Sequence, residues 1–307
     1  MKTISAFISA FFFLTLLQAQ EMHIKTSDSV ELYVTVKGKG TPCLYVHGGP
    51  GSGSYWLEKF AGDSLEQHFQ MIYLDQRGVG RSTSPWDQNY SMDRMVKDFE
   101  EVRIALGIKQ WITLGHSFGG LLQMGYSQSY PEVMLGMIMI NCSLNFEENY
   151  NLSWCPKACE FLNITDIEPY LDKSKPIVER WGSLIQQLNV KELMWKMGFS
   201  SPENMNIVNA TYSELPSWNG DFGNVAMEIK DYWVNYKKLT SNMKMPVLFF
   251  YGEKDWMIGP EHFKGVNFPN MILYRSNVGH FPFLENKADL AKSIESYIEK
   301  YNFNVIK

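Results

Sequence analysis

Apolar and polar positions change period several times along the chain, and each change marks an element. "VELYVTVKG" and "PCLYVHGG" read as strands parted by the turn signal "GKGTP", and "MIYLDQRG" predicts a third. A helix follows in "SMDRMVKDFEEVRIALG", where Met92, Met95, Val96, Phe99 and Val102 recur at helical spacing. Ser91 stands as its N-cap, and Gly107 can end it. "WITLGHS" predicts a strand running into the apolar helix "FGGLLQMGYSQSY", which Pro131 follows. "VMLGMIMINCS" is a near-continuous apolar run, as a strand buried on both faces requires. Such alternation means a mostly parallel sheet with helices on both faces, an α/β class.

The alternation lapses between residues 144 and 240. That stretch reads as helices rich in aromatics and Met, broken at Pro156, Pro169, Pro176, Pro202 and Pro216. Alternation then resumes with "MPVLFFYGEKD", "NMILYRSNVGH" and a last helix, "LENKADLAKSIESYIEKY". The expected organisation is a core of residues 20–143 and 241–307 with a helical cap, 144–240, inserted between two strands. Trp154, Trp181, Trp195, Trp218 and Trp233 all fall in the insertion. Helix packing accounts for most of them, and an apolar roof over a cleft for one or two.

Composition narrows the picture. The chain has 307 residues, 45% of them hydrophobic, and a formal net charge of -5. That is ample for a large core, and an acidic balance with no basic run excludes a nucleic-acid footprint. The N-terminal "MKTISAFISAFFFLTLLQAQ" has Lys2, then an apolar stretch from Ile4 to Leu17, then Ala19. This pattern predicts a signal peptide over residues 1–19 and a secreted or periplasmic location, with no stable membrane span once it is removed. The apolar stretch falls short of the roughly 20 residues that span a bilayer. Cys43 and Cys142 lie in apolar strands as small buried residues, while Cys155 and Cys159 could pair in an oxidising compartment or stay free. Neither C-x-x-C nor His-rich spacing is present, so no metal is expected. Oligomeric state is left open by the sequence.

The chemistry centres on "GHSFGG", Gly115 to Gly120, which fits G-x-S-x-G between an apolar strand and an apolar helix. Ser117 would sit on a strained turn with its hydroxyl above the strand end, and Gly115 and Gly119 are small because backbone crowds them. A serine needs a base to take its proton. Among six histidines, His280 in "NVGHFPF" follows the last strand, as the order Ser, Asp, His requires. His262 comes only seven positions after the best acid and is read as capping or flanking a helix. Asp255 lies in the loop after "VLFFYG" and would fix the imidazole tautomer, with Glu253 as the alternative.

Acyl transfer places negative charge on a carbonyl oxygen, which needs N–H donors already aimed at it. One is the amide of Phe118, next after the candidate nucleophile. The other is assigned to Gly49 in "LYVHGGPGSG", where glycine lets backbone approach a substrate directly.

Assembled, these residues resemble the α/β-hydrolase superfamily and, within it, the prolyl aminopeptidase (proline iminopeptidase) group of serine peptidases. The resemblance rests on "HGGPG", "DQRGVGRS", "GHSFGG", "YGEKD" and Gly279-His280. It implies a cap inserted after the sixth strand, no metal and no cofactor. It also implies that Asp75, Arg77 and Gly78 are structural parts of the loop beside the oxyanion site. The group's work needs acidic cap residues to hold the substrate's free amine. In one branch a glutamate follows the triad acid, whereas this chain has Trp256, leaving Glu214 and Glu228 as substitutes. The expected function is a serine hydrolase releasing an N-terminal residue, preferably proline, from short peptides. An esterase on the same scaffold is the alternative, and a binding protein that has kept the fold is the third reading.

Overall fold

The computed structural model describes residues 20–215 and 217–303. The expected signal peptide, residues 1–19, lies outside them. Eight strands form one sheet: β1 (Gln20–Lys25), β2 (Glu31–Gly38), β3 (Thr41–Val46), β4 (Phe69–Leu74), β5 (Trp111–His116), β6 (Met134–Ile140), β7 (Val247–Gly252) and β8 (Met271–Ser276). Their order is β1-β2-β4-β3-β5-β6-β7-β8. β1 and β2 are antiparallel and β2 runs antiparallel to β4, while β3 to β8 are mutually parallel. The mostly parallel sheet expected from the alternation is therefore present.

Alternate residues of each central strand feed opposite cores. Leu44, Val46, Met137, Met139, Val247 and Phe249 pack on one face. Cys43, Tyr45, Ile138, Ile140, Leu248 and Phe250 pack on the other. Helices α2 (Met92–Ala105) and α3 (Gly119–Ser129) cover the first face through Met95, Phe99, Leu121 and Leu122. Helix α1 (Tyr55–Leu65) and the helix Lys287–Tyr301 cover the second through Leu57, Leu65, Ile294 and Tyr297. Ser91 caps α2 as expected, accepting from the Arg94 amide. Strand β1 and helix α1 escaped the sequence reading. β1 is an edge strand with mostly exposed residues, so its alternation is faint. α1 begins two residues after the glycine loop whose composition dominates that stretch.

Between β6 and β7 the chain is helical, and several of the supposed breaks are starts. Pro169 and Pro202 lie in the first turns of their helices, where a missing N–H costs nothing, and Pro176 is an N-cap, while Pro156 sits within a continuous helical run from Phe146 to Leu162, just after its π-helical stretch Tyr150–Trp154. The insertion has its own small core around Trp154, Leu162, Leu184 and Met197. It also lends Phe222, Tyr232 and Tyr236 to the core beneath it. Cys155 and Cys159 do not pair: both are free and buried, on successive turns of the helix Cys155–Leu162. Residues four apart on a helix hold their Cβ atoms about 5–6 Å apart, too far for a disulfide's roughly 3.8 Å.

Sheet order reverses at β3, which has β4 on one side and β5 on the other. In open parallel sheets the carboxyl ends flanking such a reversal leave a crevice where ligands bind. Here those ends carry His47–Gly53 and Ser117.

Candidate active site

Ser117 leaves β5 in a left-handed backbone conformation, φ 56°. A non-glycine residue tolerates that conformation only where the surroundings enforce it. Two amide hydrogen bonds hold the turn: the Ser117 N–H donates to the Ile140 carbonyl (3.2 Å) and the Ser143 N–H to the Ser117 carbonyl (2.9 Å). The crowding expected at the glycines is present. A methyl at Gly119 would strike the Val46 carbonyl oxygen, and one at Gly115 the Gln123 amide. Gly48 is equally confined, 2.6 Å from the Ser117 Cβ to where its own Cβ would lie.

His280 and Asp255 meet. His280 Nδ1 donates to Asp255 Oδ2 at 2.8 Å, which leaves Nε2 as the unprotonated face of the ring. Asp255 Oδ1 accepts the amides of Met257 (3.0 Å) and Ile258 (3.2 Å), so the carboxylate cannot swing away. Glu253, the alternative acid, turns outward toward Arg275 at 3.4 Å. Ser117, Asp255 and His280 are 7%, 2% and 3% exposed, so the site is secluded yet the hydroxyl is not sealed. His116 Nε2 donates to the His280 carbonyl (2.8 Å), and the two rings lie 4.6 Å apart. That contact brings His280 beside the residue preceding Ser117. No hydrogen bond joins the Ser117 hydroxyl to His280 Nε2 among the described residues; catalytic hydrogen bonds of this kind often close only when substrate arrives.

The glycine loop turns sharply, with φ 111° at Gly49 and 91° at Gly51 and a cis Gly49-Pro50 bond. Neither the Gly49 nor the Phe118 amide donates to another described group, as donors kept for a ligand would require. Phe118's ring is wedged among Tyr232 (5.0 Å between centroids), Phe222 (5.9 Å) and Phe146 (6.5 Å), so residues of the insertion fix the amide's position. Trp218 donates its indole N–H to the Gly51 carbonyl (3.3 Å) and stacks on Trp56, making it the tryptophan that lies over the loop.

Asp75 anchors the far end of this loop. Its Oδ1 accepts the amide and hydroxyl of Ser54, both at 2.8 Å, and its Oδ2 accepts Arg81 Nε at 2.7 Å. Burial opposes its charge, but Arg81 and the Ser54 amide outweigh it and hold the carboxyl below its ordinary range. Arg77 is spent on Asp98 (2.6 Å) and Asp28 (2.9 Å), a structural role like that expected of it. His47 sits wholly buried at the loop's start. Its Nδ1 donates to the Gly48 carbonyl and its Nε2 accepts the Gln76 amide, a neutral ring whose pKa burial pushes down to about 4.

The remaining sequence candidates fall elsewhere. Glu214 is on the surface, bonded to Tyr55 and to Lys59 at 2.6 Å. Glu228 is exposed. No hydrogen bond or ion pair links either to Ser117, Asp255 or His280 among the described residues. His262, read as flanking a helix, is instead a buried connector: its Nε2 accepts the Leu144 amide (2.9 Å), tying the acid's loop to the start of the insertion.

Two positions escaped the sequence reading. Asn141, φ 47° at the end of β6, accepts the Gly252 amide and donates to the Gly279 carbonyl, both at 2.8 Å. It therefore staples the end of β7 to the loop that carries His280. Glu285 accepts the amides of Gly279 and Ser200, each at 2.7 Å, joining the base's loop to the insertion. An asparagine straight after an apolar strand was the available signal for the first; nothing local marks the second. No cluster of His, Cys, Asp and Glu able to hold a metal occurs among the described residues.

The comparisons with known proteins bear on the fold. Residues 41–158 match a family model described as the alpha/beta hydrolase fold. The proline iminopeptidase-related protein of Thermus thermophilus superposes with a TM-score of 0.76 at 20% identity, over 92% of this chain and 98% of that one. The chain has the α/β-hydrolase fold. An esterase from a Rhodococcus species superposes at 0.69 with 20% identity, over 92% and 99% of the two chains. By sequence, the proline iminopeptidase of Arabidopsis thaliana is 35% identical over 121 residues, 38% of this chain and 31% of that protein. The matched segment thus spans about a third of the length of such curated relatives. The chain resembles prolyl aminopeptidases over little more than a third of its length.

Proposed function

We propose that this α/β-hydrolase is a serine hydrolase that releases an N-terminal residue, proline foremost, from short peptides. The observation that carries the reading is the 2.8 Å His280–Asp255 bond beside a left-handed Ser117 at the end of β5. In the reaction, His280 Nε2 takes the Ser117 hydroxyl proton as Oγ bonds to the substrate carbonyl carbon. The oxyanion sits against the Gly49 and Phe118 amides. The C–N bond then breaks, the leaving amine takes the proton from His280, and an acyl ester remains on Ser117. Water, deprotonated by His280, cleaves that ester and returns the serine. Asp255 keeps the proton on Nδ1 and stabilises the imidazolium. No cofactor or metal enters any step. We read residues 1–19 as an export signal, which would make the enzyme secreted or periplasmic.

An esterase activity is the second reading. It is favoured by Glu214 being committed to Lys59 rather than offered to a substrate amine. Turnover of proline p-nitroanilide, N-acetyl-proline p-nitroanilide and p-nitrophenyl butyrate separates the two. The peptidase reading expects the unblocked anilide to be cleaved at least about tenfold faster than the blocked one. Equal rates on both anilides, or cleavage of the ester alone, would overturn it.

A further inference from the structure

His280 does not rest on its own loop alone. Its backbone N–H donates to the Gly198 carbonyl at 2.6 Å, and Gly198 ends a short helix of the insertion, Trp195–Gly198. One residue earlier, the Met197 carbonyl accepts the amide of Trp256, which directly follows Asp255, at 3.0 Å. Two consecutive carbonyls of the insertion therefore hold His280 and the residue next to Asp255. The approach is close because glycine stands on both sides. A methyl at Gly279 would lie 2.5 Å from the Gly198 carbonyl oxygen, and one at Gly198 would lie 3.3 Å from the His280 Cβ. Phe199 and Phe281, the residues that follow on either side, stack with ring centres 4.5 Å apart and planes within 2°.

Glu285 closes this junction from the end of the short helix Pro282–Glu285. Its Oε2 accepts the Gly279 amide and its Oε1 the Ser200 amide, each at 2.7 Å, and Asn204 Nδ2 also donates to Oε1 at 3.3 Å. One oxygen thus serves each side of the junction. The Gly279 carbonyl is taken as well, by Asn141 Nδ2 at 2.8 Å, so side chains hold both polar groups of the residue just before His280. Amide-to-carboxylate bonds are charge-assisted and directional, so they fix the backbone they engage.

We infer that Glu285 is a positioning residue for His280, acting through Gly279, and that residues 197–200 of the insertion are the seat against which His280 and the Asp255 loop are aligned. The inference takes the site to be that of a serine hydrolase, whichever of peptide or ester it cleaves. Glu285 touches no reacting atom in this role. It sets the chain from which the imidazole projects, and so makes the seating of the insertion a condition for an active base. A displacement of about 1 Å at such a group costs on the order of 10²-fold in rate.

The test reads how fast a fluorophosphonate labels Ser117, a rate that needs His280 and no particular substrate. Glu285→Ala is expected to label at least about tenfold more slowly than the unmodified protein. In a His280→Ala background the same substitution should change the rate by no more than about twofold, because the residue it acts through is gone. With proline p-nitroanilide or p-nitrophenyl butyrate, whichever is turned over, kcat should fall while KM changes little. Circular dichroism checks that each variant is folded. Should Glu285→Ala fail to fold, Glu285→Gln, equal in size and keeping one acceptor oxygen, carries the same measurements with an expected loss of about threefold. Labelling as fast as in the unmodified protein, or an equal loss with and without His280, would overturn the positioning role and leave the serine-hydrolase reading standing. A raised KM at constant kcat would assign Glu285 to substrate binding and overturn the role too. An unmodified protein that takes no label would overturn both.

Discussion

Ser117 adopts φ 56° although it carries a Cβ, and that costs on the order of 1 kcal/mol relative to glycine. The turn is held by the Ile140 carbonyl and the Ser143 amide, with Gly48 and Gly119 packed close around it. The cost is measurable. Ser117→Gly should unfold at a denaturant midpoint equal to or above that of Ser117→Ala, the relief of about 1 kcal/mol offsetting glycine's freer unfolded chain. A clearly less stable glycine variant would mean the turn is unstrained. The same residue shows what sequence can disclose. G-x-S-x-G, the last histidine and the acid after an apolar strand are all local patterns, so Ser117, His280 and Asp255 could be singled out as candidates, and the structure bonds the last two to each other. Glu285 and His262 act through contacts with chain far away in sequence, and no local pattern announces them. Glu214 shows the opposite limit: a carboxylate in a segment of helices carries no mark of the Lys59 with which it pairs.

The elements meet through very few side chains. Asn141 at the end of β6 bonds both to Gly252, where β7 stops, and to Gly279, just before the base. Asn141→Ala would leave a buried N–H and a buried carbonyl unpaired, a loss of about 1–3 kcal/mol in stability. Because it touches no substrate, its effect on catalysis should appear as a fall in kcat with KM little changed. A raised KM at constant kcat would contradict that role. At this scale the parallel strands were legible, because buried parallel strands are continuous apolar runs that need no partner to be recognised, whereas the exposed edge strand β1 was not. Boundaries within the insertion were not. Its prolines were taken for breaks when two of them open helices and Pro156 is carried within one, and helix α1 was hidden behind the glycines before it.

Across the whole molecule, three histidines lie buried and neutral around the site. Burial pushes His47 down to about 4, His116 well below its ordinary value, and His262 downward as well. Unfolded, each would bind a proton below about pH 6.5 while the folded ring stays neutral. The unfolded state therefore gains protons as pH falls, and stability drops from pH 6.5 toward 4. His47 alone accounts for about 2 kcal/mol by pH 5. Urea midpoints at pH 7.5, 6 and 5 should fall steadily, and a flat series would show the rings to be hydrated. The glycine loop and the elbow are built on these neutral rings, so the site and the fold weaken together in acid.

The most direct measurement is intact-mass analysis after exposure to a fluorophosphonate, which reacts with an activated serine. The account predicts one adduct, mapped to Ser117, lost in Ser117→Ala and strongly slowed in His280→Ala. An unlabelled protein, or labelling that persists in Ser117→Ala, would contradict it.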